Sequence, residues 1–123
     1  MKRGTGLISK KYINRHCNFC DGDIYMSSAK NCVYFITDGV YTKIGIAQDL
    51  TKRFSGIQTG NPLKLKALCV IPCSSNKEMQ KYEIYLHRYF AETNVRGEWF
   101  DISEDDIQRA KEKFQVIMHR IIA

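Results

Sequence analysis

The sequence predicts an α+β domain, a small antiparallel sheet of about three strands flanked by helices. Three observations carry that prediction. Two runs rich in β-branched and aromatic residues, 32–37 and 40–45, are joined by Asp38-Gly39, a strong local hairpin signal. Three later stretches place apolar residues at helical spacing behind the capping residues Asp49, Ser75 and Ser103. Between the first two of these runs Leu65, Ala67, Cys69 and Ile71, which alternates with Lys64, Lys66, Leu68 and Val70 as a mostly buried third strand.

Residues 1–31 form a polar, basic lead-in with Lys2, Arg3, Lys10, Lys11 and Arg15 and little periodicity. In the hairpin, a two-residue turn at Asp38-Gly39 pairs Thr37 with Val40, Phe35 with Thr42 and Tyr34 with Lys43. That register sets the Tyr34 and Lys43 Cβ atoms roughly 4.5–5.5 Å apart on one face. Asp49 caps a helix through about Ile57, with Leu50, Phe54 and Ile57 on its apolar side, and Thr59-Gly60-Asn61-Pro62 breaks it. Ser75 with Glu78 reads as a capping box for a helix to about Ala91. Its apolar stripe is Met79, Tyr82, Leu86, Tyr89 and Phe90. After Gly97-Glu98-Trp99-Phe100-Asp101, Ser103 caps a final helix in which Ile107, Ala110, Phe114, Ile117, Ile121 and Ile122 face the core. The chain thus divides into the lead-in 1–31, a body 32–101 and a C-terminal helix 102–123 packed on the same body.

At 123 residues the chain is one domain with room for a core, and 44% hydrophobic with 26% charged residues is ordinary for a globular protein. No apolar run approaches the roughly 20 residues that span a bilayer, and the N-terminus has no apolar secretory segment. The expectation is a cytoplasmic chain with no membrane partner. A net charge of +6 favours a polyanion through salt-dependent attraction, although solubility alone also accounts for it.

Cys32-Val33-Tyr34 and Lys43-Ile44-Gly45, with Arg53 ten residues after Lys43, resemble the GIY-YIG nuclease superfamily. Gln58-Thr59-Gly60, Glu83 with Leu86-His87, and Arg96-Gly97-Glu98-Trp99-Phe100 follow in order. Together they are similar to small phage and bacterial members that carry KIG in place of YIG. The resemblance spans about residues 32–101. It implies a central antiparallel sheet flanked by helices and one site that hydrolyses phosphodiesters in DNA with Mg²⁺ or Mn²⁺. Tyr34 matches the first half-motif's tyrosine, Arg53 the first-helix arginine and Glu83 the metal-binding glutamate. Lys43 stands where the second tyrosine usually lies, Cys32 where a glycine lies, and Ile57 where a histidine or tyrosine is frequent.

Hydrolysis of a phosphodiester needs an activated water, a stabiliser for the developing charge and help for the leaving oxygen. One carboxylate with substrate phosphate and waters is a normal way to hold Mg²⁺, which suits Glu83. Arg53 offers a planar donor fork to the phosphate. A cation beside Tyr34 favours tyrosinate while burial opposes it, so Lys43 is expected to help Tyr34 take a proton from the attacking water. The plainer alternatives are a half-buried strand pair, a solvated Arg53 and a Glu83 paired with a lysine. His87, one turn beyond Glu83, is placed to orient it or touch phosphate. Tyr41, Lys52, Gln58, Thr59 and Asn61 are candidate contacts to the nucleic-acid backbone. Trp99 and Phe100 either stack on a base or close the core.

Five cysteines are an odd number, to be kept reduced in a cytoplasm. Cys17-Asn18-Phe19-Cys20 resembles one knuckle of a zinc ribbon, and Cys32 is a third candidate ligand for a structural Zn²⁺, which requires four. The leading reading is a metal-dependent DNA endonuclease using Tyr34, Lys43, Arg53, Glu83 and His87. The alternative is a catalytically weak or inert nucleic-acid-binding module on the same fold. DNA in single- or double-stranded form and RNA both stay open as partners, and the last helix is the expected place for any contact between two copies.

Overall fold

Two long strands form the centre of the computed structural model, which describes residues 21–122. Cys17, Cys20 and the lysines and arginines of residues 2–15 lie outside the described residues. The elements run β1 (Asp23–Tyr25), β2 (Lys30–Thr37), β3 (Thr42–Asp49), α1 (Leu50–Thr59), β4 (Lys66–Pro72), α2 (Asn76–Tyr89), β5 (Asn94–Arg96), β6 (Trp99–Phe100), α3 (Glu104–Phe114) and β7 (His119–Ile122). The protein is α+β, with one mixed sheet in the order β1-β7-β4-β2-β3-β6-β5 among the described residues. Among the described strands only β1 and β7 pair in parallel. The sheet is therefore larger than the three strands expected, because four segments of two to four residues extend its edges.

The capping residues act as the sequence indicates. Asp49 accepts from the Lys52 amide, Ser75 from the Glu78 amide and Ser103 from the Asp106 amide. Ser103 and Asp106 complete a reciprocal capping box, whereas Glu78 reaches one residue further back and accepts from the Ser74 N–H at 2.7 Å.

The hairpin register differs from expectation by two residues. Thr37 pairs with Thr42, Ile36 with Lys43 and Tyr34 with Gly45. A two-residue turn of the favoured type needs positive φ at both central residues, and of Asp38 and Gly39 only Gly39 has it, at 99°. The Asp38 carboxylate instead accepts from the amides of Val40 and Tyr41, each at 2.8 Å, closing a four-residue loop.

The last element is also corrected. α3 stops at Phe114, where Gln115 turns left-handed at φ 52°, and His119–Ile122 leaves as a strand between β1 and β4. Val116, Ile117, Ile121 and Ile122 are β-branched and fit a pleated edge better than a helix. Ile117 is exposed, and Met118 is fully buried in its place. Both the segment from Asp21 and residues 102–122 are thus built into the sheet and core of the body.

Two cores lie on the two faces of the sheet. Val33, Phe35 and Ile44 pack with Leu86 and Phe90 of α2 and with Ile107 of α3. On the opposite face Tyr34, Ile36, Ala47 and Val70 pack with Leu50, Phe54 and Ile57 of α1. A bulge between β2 and β4 at Phe35/Ile36 lets Leu68 and Cys69 both join the first core, breaking the expected alternation. Among the described residues no helix is long and apolar enough to cross a membrane.

Candidate functional site

Among the described residues β6 pairs with β3 at Thr42 and Lys43, and the Glu98 carbonyl just before it accepts from the Ile44 amide at 3.0 Å. Beyond them the outer edge of β3 borders a groove of about 800 Å³, lined by Lys43, Ile46, Lys52, Arg53, Asn76 and Met79 among others. α1 and α2 form its walls. His87 Nε2 donates to the Ile44 carbonyl at 2.9 Å, and Gln48 Nε2 donates to Asn76 Oδ1 at 3.3 Å, so two side-chain bonds pin α2 along the strand.

Tyr34 is 1% exposed, and its ring lies over Gly45. A Cβ at Gly45 would fall 2.6 Å from the Tyr34 Cζ and closer still to the hydroxyl. The hydroxyl has no hydrogen-bond partner among the described residues. Burial raises the phenol above its ordinary value, Glu98 and Glu83 add to the rise, and Arg53 opposes it. Tyr34 is held as a neutral phenol. The expected tyrosinate beside Lys43 is not what this environment favours.

Lys43 does not stand opposite Tyr34. Its ammonium pairs with Glu98 at 3.0 Å and lies 5.7 Å from the centre of the Trp99 ring. Glu83 is half-buried and makes no hydrogen bond or ion pair among the described residues. Desolvation raises its carboxyl above the usual range, with Glu98 adding, while His87, Lys43 and Arg53 pull it down. Arg53 is exposed on α1 and likewise has no ion pair among the described residues. Tyr34, Arg53, Glu83 and Glu98 are therefore near enough to act on one another's charge.

The sequence model of the T5orf172 domain matches residues 22–115. The chain belongs to the T5orf172 domain family. No curated protein and no solved structure shows significant similarity to it.

In this T5orf172 domain the remaining candidates separate into groove and scaffold. Lys52 lines the groove. His87 is committed to the Ile44 carbonyl and packs 5.0 Å from the Phe100 ring, so it positions α2 against β3. Tyr41 sits in the hairpin loop rather than on the Tyr34 strand face, with its carbonyl accepting from the Thr37 hydroxyl at 2.8 Å. Gln58 spends its amide on the loop after α1, donating to Leu63 O at 2.9 Å and accepting from Leu65 N at 2.8 Å. Thr59 donates to Ser55 O, and Asn61 accepts from Leu63 N. These three brace the chain rather than face a ligand. Phe100 is core, and Trp99 forms the floor under Lys43.

Of the zinc candidates, only Cys32 is described. It is 1% exposed in the second core, and burial with the nearby Cys73 pushes its thiol up to about 12, which disfavours the thiolate a metal needs. Among the described residues no group of three His, Cys, Asp or Glu is gathered as a metal site. Glu98 is the residue that sequence reasoning missed. Its only signal was an acidic side chain directly before the Trp99-Phe100 pair, and its nearness to Glu83 depends on β6 docking beside β3.

Proposed function

We propose that this T5orf172 domain is a metal-dependent endonuclease of the GIY-YIG type, acting on phosphodiester bonds in DNA. The observation that carries the reading is the groove beside β3. Arg53 lines it, and Tyr34 and Glu83 lie within electrostatic reach of Arg53 and of each other, with no hydrogen bond to any of the three side chains among the described residues.

In this reading Arg53, with Lys52 beside it, takes the scissile phosphate and stabilises its developing charge. Tyr34, kept neutral by burial, donates its hydroxyl proton in a hydrogen bond and orients the attacking water or the phosphate oxygen. Lys43, held by Glu98 over Trp99, supplies positive charge at the strand end. Glu83 would hold Mg²⁺ or Mn²⁺ with substrate phosphate and waters completing the set, since its desolvated carboxylate suits a compensating cation. Bound there, the ion would acidify water and neutralise charge on the phosphate. We place this activity in a cytoplasm.

The engagement of Lys43 by Glu98 favours a second reading, an inert nucleic-acid-binding module. The two are separated by incubating the protein with supercoiled plasmid and with single-stranded DNA, in Mg²⁺, Mn²⁺ or chelator, beside Glu83→Ala. Metal-dependent nicking that Glu83→Ala abolishes is expected. Salt-sensitive binding without cleavage in either metal would leave the binding module.

A further inference from the structure

We infer that the outer face of α2 is a binding surface for single-stranded nucleic acid, leading into the groove. The inference rests on the nuclease reading for the strand's destination, and its test is a binding measurement that failure of that reading would leave intact.

α2 carries three stripes besides its buried one. Asn76, Gln80, Glu83 and His87 run along the groove side. Next, facing solvent, come Lys77, Lys81, Ile84 and Arg88, and beyond them Tyr82, Tyr85 and Tyr89. Ile84, Tyr85 and Tyr89 are 48%, 42% and 38% exposed, an unusual share of large apolar surface for one helix. The tyrosines are held in place. Tyr85 stacks on Phe114 of α3 at 5.9 Å with an interplanar angle of 17°, and Tyr89 meets the same ring edge-on at 5.6 Å. Their rings are thus ordered before any ligand arrives, which lowers the entropy cost of stacking on them.

Lys77, Lys81 and Arg88 make no ion pair among the described residues, and the Lys81 ammonium lies 5.1 Å from the Tyr82 ring centre. Cations in line beside fixed aromatic faces are what a single strand needs: charge for its phosphates and rings for its unpaired bases. Duplex DNA hides its base faces and gains nothing from the tyrosines. A second copy of the chain is the competing occupant. A symmetric contact through this face would set the row Lys77, Lys81 and Arg88 against the same row of the other copy, with like charges opposed.

The test uses the full chain, chelator to prevent cleavage, and fluorescence anisotropy with labelled oligothymidylate and with a duplex of mixed sequence. The joint variant Tyr85→Leu/Tyr89→Leu keeps apolar contact with Phe114 and removes two stacking faces. It should weaken oligothymidylate binding by roughly tenfold or more and duplex binding little. Replacing Lys77, Lys81 and Arg88 with Gln should lower the slope of log affinity against log salt by about 2, three phosphate contacts at about 0.7 each. Thermal melting checks that both variants fold. Unchanged single-strand affinity and slope in folded variants would overturn the proposal, as would a dimer in sedimentation that the tyrosine variant dissolves.

Discussion

The ring of Tyr34 covers Gly45 because the β2–β3 register sets the two residues opposite, and only a residue without Cβ leaves room for it. Glycine in a strand interior normally costs about 0.5–1 kcal/mol relative to alanine. Here the sign should reverse. Gly45→Ala drives a methyl into a fully buried ring that cannot swing aside, so it is expected to lose about 1–3 kcal/mol in denaturant unfolding; equal or greater stability would show that the ring has somewhere to go. Tyr34→Phe removes a hydroxyl with no partner among the described residues. Its stability should stay within about 0.5 kcal/mol of wild type, while cleavage falls by about a hundredfold or more. Glu83 is raised by desolvation first and Glu98 second. The folded protein therefore holds that proton more tightly than the unfolded chain, and stability declines as pH rises from the ordinary carboxyl value through the raised one. Glu83→Gln should melt above wild type at neutral pH, with the gap closing in acid. Mn²⁺ should raise the melting temperature of wild type and not of Glu83→Gln; a rise in both would remove Glu83 as its ligand.

Among the elements, β1 is a three-residue edge strand that pairs with β7, and one carboxylate concentrates its attachment. Asp21 accepts from the Met118 amide at 2.9 Å and pairs with Lys111 of α3 at 3.2 Å, while its own amide donates to Met118 O at 2.8 Å. The Met118 amide first, and Lys111 next, hold its carboxyl below the ordinary 3.8. A depressed carboxyl contributes stability that is present above the unfolded value and lost as pH falls through the folded one. Protection of the amides of Asp21 and of Arg120, which donates to Gly22 O at 2.9 Å, measured against the intrinsic exchange rate at each pH, should fall in acid and in Asp21→Asn at neutral pH, while Val33 stays protected. Uniform change across all three would mean that β1 does not open on its own. This edge was illegible in the sequence, and the reason is physical. Caps at Asp49, Ser75 and Ser103 act within three residues and were readable from neighbours alone. β5 and β6, three and two residues long, are too short to show a period. Ile117 and Ile121 fit a helical stripe after Phe114 as well as they fit a strand, and the left-handed turn at Gln115 has no local signature. The grouping of Tyr34, Arg53 and Glu83 was legible through motif order. The nearness of Glu98 was not, because it depends on a contact between β6 and β3 that spacing does not reveal.

At the scale of the molecule, the sheet order places β7 between β1 and β4, so the chain's last described strand is interior to the sheet rather than appended to it. The T5orf172 match ends at residue 115, before this strand begins. A body bounded at residue 101, or even at 115, would leave the β4 edge unpaired and β1 without a partner. It would also lose the buried side chains of Met118 and Ile121. At about 1.5–3 kcal/mol for each large side chain removed from burial, the loss is roughly 3–6 kcal/mol before any ladder hydrogen bond is counted. Against a total stability of about 5–15 kcal/mol for an ordinary domain, that is a large fraction of the whole, and the uncovered β4 edge becomes a site for aggregation. A chain ending at residue 116 should therefore show a lower, broader melting transition or aggregate, and lose single-strand binding and cleavage together. The substitution Ile121→Asp keeps the length and places a charge in the second core, and should fall in the same class. If the shortened chain instead melts cooperatively at the wild-type temperature, β7 is an accessory strand, and the groove beside β3 is carried by the central hairpin, α1 and α2 alone.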